Sequence, residues 1–284
     1  MAKFRFQSCL GSDHRRMESL LRPTNDVQVR EGVAWALSEN KPVAVIGAGS
    51  KVRLGRPANL DTTMNLRDLT GVVDYEPSEL VLTALPGTPL VEINTCLQEQ
   101  NQELAFEPPD LGPLLGTDAG EATLGGTIAC NLSGPRRVRA GAARDHFLGM
   151  HAVNGRAESF KAGGRVVKNV TGYDLCKLIA GSYGTLAILT EVTVKVLPRV
   201  EKTRTVLVFG LEDTEAMSAL SNAVASVHEP TALAHLPIAI SGRSSVDLVA
   251  TAGRAVTAVR VEGPAPSAIF RCERLRDIFS KLGD

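Results

Sequence analysis

The chain has 284 residues and balances 31 basic against 31 acidic side chains, which removes any electrostatic basis for nucleic acid or an anionic membrane as a general partner. Hydrophobic residues make up 44% and charged residues 22%, the profile of a folded globular protein with length for about two domains. Five cysteines, the closest pair 34 positions apart, form no CxxC and no Cys/His cluster, so the sequence gives no basis for a disulfide framework, a zinc site or an iron–sulfur cluster of its own.

The N-terminus carries Lys3, Arg5, Asp13, Arg15 and Arg16 and lacks the apolar stretch of a signal peptide. No apolar run reaches the roughly 18 residues of a spanning helix, so a cytoplasmic protein is expected, at a membrane only through a partner. Thr24-Asn25-Asp26 supplies cap residues before a first helix that ends near Asn40. Residues 43–46 read as a short buried strand running into Gly47-Ala48-Gly49-Ser50. Strands are expected at 60–64, 71–75 and 79–84, and a helix over 89–100 from its apolar spacing. Residues 107–141 are rich in Gly and Pro, a length of loop that is usually functional. A hairpin turning at Asn154-Gly155 follows, then a short helix over 173–180 and a β-branched strand over 186–197. The domain boundary is placed near Pro198. Residues beyond it read as strand, helix, strands and a final helix, an α+β pattern.

Three segments carry candidate chemistry. The loop after strand 43–46 fails the Rossmann spacing, because Val52 stands where the third glycine is needed, and fails the Walker order, because Ser50 precedes Lys51. It is either an ordinary tight turn or a backbone nest for an anion. Residues 123–134 place paired glycines between Thr123 and Thr127 at a helix start, where they serve either anion binding or close packing. Four arginines follow within nine residues, Arg136, Arg137, Arg139 and Arg144, as a solvated loop or a site for a carboxylate or partner. In the third segment, 163–190, Gly172, Gly181 and Gly184 bracket a short helix and free the backbone to wrap a ligand. His228 and His235 sit in unremarkable surroundings and read as surface or packing residues.

Together these segments resemble the FAD-binding domain of the vanillyl-alcohol oxidase / p-cresol methylhydroxylase (PCMH) type, and within it the FAD-binding E subunits of bacterial glycolate oxidases. The resemblance covers roughly residues 22–200 and is most specific in Val-Val-Lys-Asn-Val-Thr-Gly-Tyr-Asp-Leu at 166–175 and Gly-Ser-x-Gly-Thr-Leu at 181–186. It implies an α+β protein in which a PCMH-type domain of two α/β subdomains, residues 1–200, is followed by a partial α+β cap over 201–284. It implies further that Gly47, Ala48, Gly49, Ser50 and Lys51 form a first pyrophosphate loop, with Pro86 and Gly87 approaching from a neighbouring strand end. Thr123, Gly125, Gly126, Thr127, Asn131, Ser133 and Gly134 form the second wall, and Val170, Thr171, Asp174 and Ile188 lie near the ribose and adenine.

Where covalent members carry His or Cys, the first loop has Ser50 and Lys51, so non-covalent FAD is expected. Tyr183 stands where related D-2-hydroxyacid dehydrogenases often have Glu, and Ala187 where Gly is usual. The function implied is that of an FAD-binding subunit of a glycolate oxidase complex, oxidising a small 2-hydroxy acid together with a homologous flavin subunit and an iron–sulfur subunit. A self-sufficient D-lactate-type dehydrogenase and a non-catalytic flavin-fold scaffold stay open, and no catalytic residue or metal ligand is assigned.

Overall fold

The structure, a computed structural model, describes residues 19–56, 60–165 and 172–280. The chain divides into two compact units, one of residues 1–133 and 142–197 and the other of 134–141 and everything from 198 onward.

The first unit holds two sheets. Helix α1 (Asp26–Ser38) starts where expected, with Asn25 Oδ1 accepting from Gln28 N at 3.0 Å and Asp26 complementing the helix dipole. Its buried face, Val29, Gly32, Val33 and Ala36, follows the helical repeat. That face packs on a parallel sheet of β1 (Ser19–Leu21), β3 (Thr62–Asn65) and β2 (Ala44–Ile46), with β3 in the centre. The helix comes close to β3 at Gly32, where a Cβ would stand 2.7 Å from Met64 Cε, the mobile end of that side chain.

The second sheet is antiparallel, in the order β4 (Val72–Glu76), β5 (Val81–Ala84), β8 (Ala187–Lys195), β6 (Phe147–Asn154), β7 (Ser159–Gly163). Strands β5 and β8 are largely buried, and their one polar facing pair, Thr83 and Thr193, is satisfied by a 2.9 Å hydroxyl–hydroxyl bond. Against this sheet pack α2 (Leu90–Glu99), through Leu90, Ile93 and Leu97, α3 (Leu124–Ala129), through Leu124 and Ile128, and α5 (Leu175–Ile179), through Cys176 and Ile179. Burial among these side chains pushes the Cys176 thiol up to about 11, so it is an inert packing group. Val153 and Ile188, at adjoining ends of β6 and β8, belong instead to the cluster under α1, and so join the two sheets.

The second unit is an antiparallel sheet, β9 (Lys202–Phe209), β11 (Val256–Gly263) and β10 (Ala232–Leu236), with β11 central. Helices α6 (Asp213–Ala225) and α7 (Ala265–Phe279) cover one face through Ala216, Ala219, Ala223, Cys272, Leu275 and Phe279, over Val206, Val208, Val259 and Val261. This is the α+β pattern expected. Of the two histidines read as surface or packing residues, His235 is a packing residue. His235 Nδ1 lies 2.8 Å from the buried Thr257 hydroxyl and Nε2 lies 3.1 Å from Asp213 Oδ1, so the ring pins the first turn of α6 to the sheet.

A division at residue 200 leaves 134–141 on the N-terminal side, whereas in the structure this segment packs with the C-terminal unit. It contains the one-turn helix α4 (Arg137–Ala140). Arg136 Nε meets Glu262 Oε2 at 3.0 Å with both side chains nearly buried, and Arg260 Nε holds the other carboxylate oxygen at 3.2 Å. Arg139 pairs with Glu229 at 3.0 Å. Of the two readings of the arginine cluster, the carboxylate one holds for these two residues, and the carboxylates are the protein's own. Glu262 alternates with Val261 along β11, which turns it away from the helices and towards this strap.

Candidate cofactor-binding site

A cavity of about 520 Å³ opens in the first unit between the end of β2, the start of α3 and the start of β8. Its floor is built by the glycines. Gly49 has φ +80°, so the chain turns tightly, with Val52 N donating to Gly49 O at 3.2 Å. Thr123 caps α3 by accepting from Gly126 N, and Gly47 packs so close to it that a Cβ would stand 2.6 Å from Thr123 Oγ1. Gly125 turns to the protein: its N–H donates to Pro86 O at 2.8 Å, and a Cβ would stand 2.5 Å from Pro86 Cβ. Gly126 turns the other way, its Cβ position 3.1 Å from the Thr123 hydroxyl and 3.7 Å from Lys51 Nζ.

Lys51 is half-buried and donates to the buried Ser50 hydroxyl at 3.0 Å. Burial lowers its pKa, opposed by the Cys130 thiol and Asp110. The same burial raises the Cys130 thiol, with the Lys51 ammonium pulling it back. Lys51 and Arg56 line the cavity, and among the described residues no Asp or Glu lines it, although Asp110 lies near enough to act on Lys51. In a chain of zero net charge this is a local excess of two positive charges beside a run of small residues, the chemistry that receives a phosphorylated ligand.

Of the residues expected in the site, Gly47, Ala48, Gly49, Ser50, Lys51, Pro86, Thr123, Gly125, Gly126 and Ile188 line this cavity. The others stand behind or away from it. Gly87 supports the wall, because a Cβ would meet Leu66 O at 2.2 Å. Thr127 is fully buried, and its hydroxyl has no hydrogen-bond partner among the described residues. Asn131 and Ser133 accept from the backbone N–H groups of Arg144 and Ala143, stapling together the two ends of the 134–141 strap, in which Gly134 is the first residue. Asp174 caps α5 by accepting from Lys177 N. Val170 and Thr171, and with them residues 166–171 of the most specific run, lie outside the described residues.

Sequence reasoning missed Arg56, Cys130, Ser182 and Tyr183 as lining residues. Tyr183 could have been found, because it lies inside the Gly181-Ser-x-Gly-Thr-Leu run already singled out.

The glycine-floored cavity follows neither the Rossmann nor the Walker spacing. Residues 17–163 match the FAD binding domain family, more than half of the chain, and the chain belongs to that family. It is 46% identical to glycolate oxidase subunit GlcE of Escherichia coli (strain K12) over 169 residues, which are 60% of this chain and 46% of that protein. It is 24% identical to glycolate oxidase subunit GlcD of Bacillus subtilis (strain 168) over 269 residues, 93% of this chain and 55% of that one. The chain thus spans about half the length of these curated relatives. Among solved structures it shares the fold of p-cresol methylhydroxylase, with TM-score 0.69 and 13% identity over 93% of this chain and 56% of that one.

Proposed function

We propose that this chain is an FAD-binding subunit of a glycolate oxidase-type complex, in which glycolate or a related 2-hydroxy acid is oxidised to the 2-oxo acid and electrons pass to an iron–sulfur partner. The observation that carries the reading is the cavity lined by Lys51 and Arg56 and, among the described residues, by no acid, set in a chain that belongs to the FAD binding domain family. The substrate class and the complex come from the names of the GlcE and GlcD proteins that it resembles.

When bound, FAD supplies the two-electron acceptor, and the protein supplies binding, orientation and charge. The backbone of 47–51 and the first turn of α3 hold the pyrophosphate, with Lys51 and Arg56 neutralising it. Gly126 leaves the space it occupies, while Gly125 and Gly87 hold the wall in place. The first loop offers Ser50 and Lys51 rather than His or Cys, so the cofactor is held without a covalent bond. Among the described residues no helix is long and apolar enough to cross a membrane.

The test is an absorbance spectrum of the purified chain after incubation with FAD, before and after anaerobic glycolate, followed by acid precipitation. Flavin bands are expected, with the flavin in the supernatant after acid. Bleaching by glycolate in this chain alone would place a working substrate site in it, whereas bleaching that needs added partner subunits is the outcome expected of a subunit in a complex. A chain that takes up no flavin from excess FAD overturns the reading.

A further inference from the structure

The loop over residues 181–185 carries a feature that FAD binding in general does not require. Tyr183 has φ +55°, between Gly181 at +87° and Gly184 at +76°. A bulky aromatic residue is disfavoured in the left-handed region, where glycine would sit without strain, and it persists there only when its surroundings over-determine it. The surroundings are explicit. Tyr183 N donates to Ala129 O at 2.9 Å, and Gly181 N donates to Ile128 O, so the loop is tied to the end of α3, whose first turn floors the cavity. Gly184 lies against Val45 of β2, with its Cβ position 3.5 Å from Val45 Cβ.

The side chain itself is not used for packing, since Tyr183 is 53% exposed. Among the described residues it is also the only aromatic one lining the cavity, in a chain with three tyrosines in all. Beside it, Gly184, Thr185, Ala187 and Ile188 line both the main cavity and an adjoining recess of about 430 Å³. The walls of that recess are largely aliphatic, with Asn40, Lys41, Asn154 and Thr185 as its polar members, a mostly apolar lining of the kind that receives a flat ring.

We propose that Tyr183 is the platform on which the adenine of the dinucleotide stacks, and that it sets the preference of this site for FAD over FMN. The inference rests on the cofactor reading given above. A flat, sequence-tolerant π face held by a rigid backbone binds a purine by stacking, a contact whose loss on alanine substitution weakens binding by about tenfold or more. The strained φ is then the consequence of aiming this side chain into the cavity.

The test titrates the FAD-free full-length chain with FAD and with FMN, following flavin fluorescence, for the wild type and for Y183F, Y183A and Y183G. Y183F is expected to match the wild type. Y183A and Y183G are expected to lower the FAD-to-FMN affinity ratio by about tenfold, chiefly by weakening FAD. Y183G is expected at the same time to raise the thermal midpoint of the FAD-free chain, because glycine relieves the backbone strain; this separates loss of stacking from loss of structure. An unchanged ratio in Y183A and Y183G overturns the proposal, as does an equal loss for FMN, which would put the ring against the isoalloxazine. If the wild type binds no FAD, it is the cofactor reading that fails.

Discussion

Lys51 shows how one residue ties cofactor binding to pH. Its ammonium is half-buried beside Ser50, and burial lowers its pKa against the pull of Cys130 and Asp110. In the FAD-free chain the folded state therefore releases this proton at lower pH than the unfolded state. Charged Lys51 weighs against folding below its folded pKa, and the burden lifts as pH rises through it. Cofactor binding has the opposite sign, because the charged form is the one that neutralises a pyrophosphate. FAD affinity is expected to fall as pH rises through the alkaline range, and a K51M variant is expected to bind more weakly at neutral pH and to lose most of that pH dependence. Fluorescence titrations of wild type and variant across pH check this, and parallel curves would remove Lys51 from the site. The loop around Lys51 was readable in the sequence as a strand followed by small residues, but a tight turn and an anion nest look alike there. What separates them is Gly126 and Arg56, distant in the chain or unmarked by any motif, which the fold brings to the same cavity.

At the scale of the element, helix α3 divides two tasks between adjacent glycines that its sequence presents as a pair. Side chains one position apart on a helix point about 100° apart, so close packing and an open cavity wall fall to different residues. Gly125 faces Pro86 and Gly126 faces Lys51. Gly126→Val is expected to abolish FAD uptake while costing the FAD-free chain less thermal stability than Gly125→Ala, because its Cβ presses at 3.1 Å on the Thr123 hydroxyl rather than on backbone. Gly125→Ala is expected to destabilise the chain by about 1–3 kcal/mol, because its Cβ meets the Pro86 backbone, which cannot move aside as a flexible side chain would. Calorimetry and FAD content on the two variants test this division, and an exchange of their phenotypes would reverse the assignment. Both readings of the Gly-Gly pair, packing and ligand approach, were open from the sequence; the structure shows the packing one for Gly125, and the proposal gives ligand approach to Gly126. Elements with strong local signals were legible in the same way: α1 from Asn25 and Asp26, and the β6–β7 hairpin from Asn154-Gly155. Asn131 and Ser133 were not, because their stapling of Arg144 and Ala143 depends on where the strap goes.

Across the whole molecule, the least legible feature is the strap itself. Arg136 and its carboxylate partner Glu262 are 126 positions apart, and no periodicity or motif links them. A carboxylate held by two guanidinium groups in a nearly buried setting is sensitive to loss of either. Arg136→Ala is expected to destabilise the C-terminal unit by about 3–5 kcal/mol in urea unfolding, whereas Arg137→Ala, which leaves that pair intact, is expected to stay within about 0.5 kcal/mol of the wild type. Equal effects from the two substitutions would show that the Arg136–Glu262 pair contributes nothing specific.

The chain crosses between its units three times, at 133/134, 141/142 and 197/198, rather than once. A gene fusion that exchanged everything after residue 197 for the matching part of a relative would keep Arg136 and discard Glu262, so the incoming sheet would meet a strap shaped for another. Eight residues in the middle of the cofactor domain are thus obliged to vary in concert with the C-terminal unit, and a working chimaera of this protein needs two splice segments, not one junction.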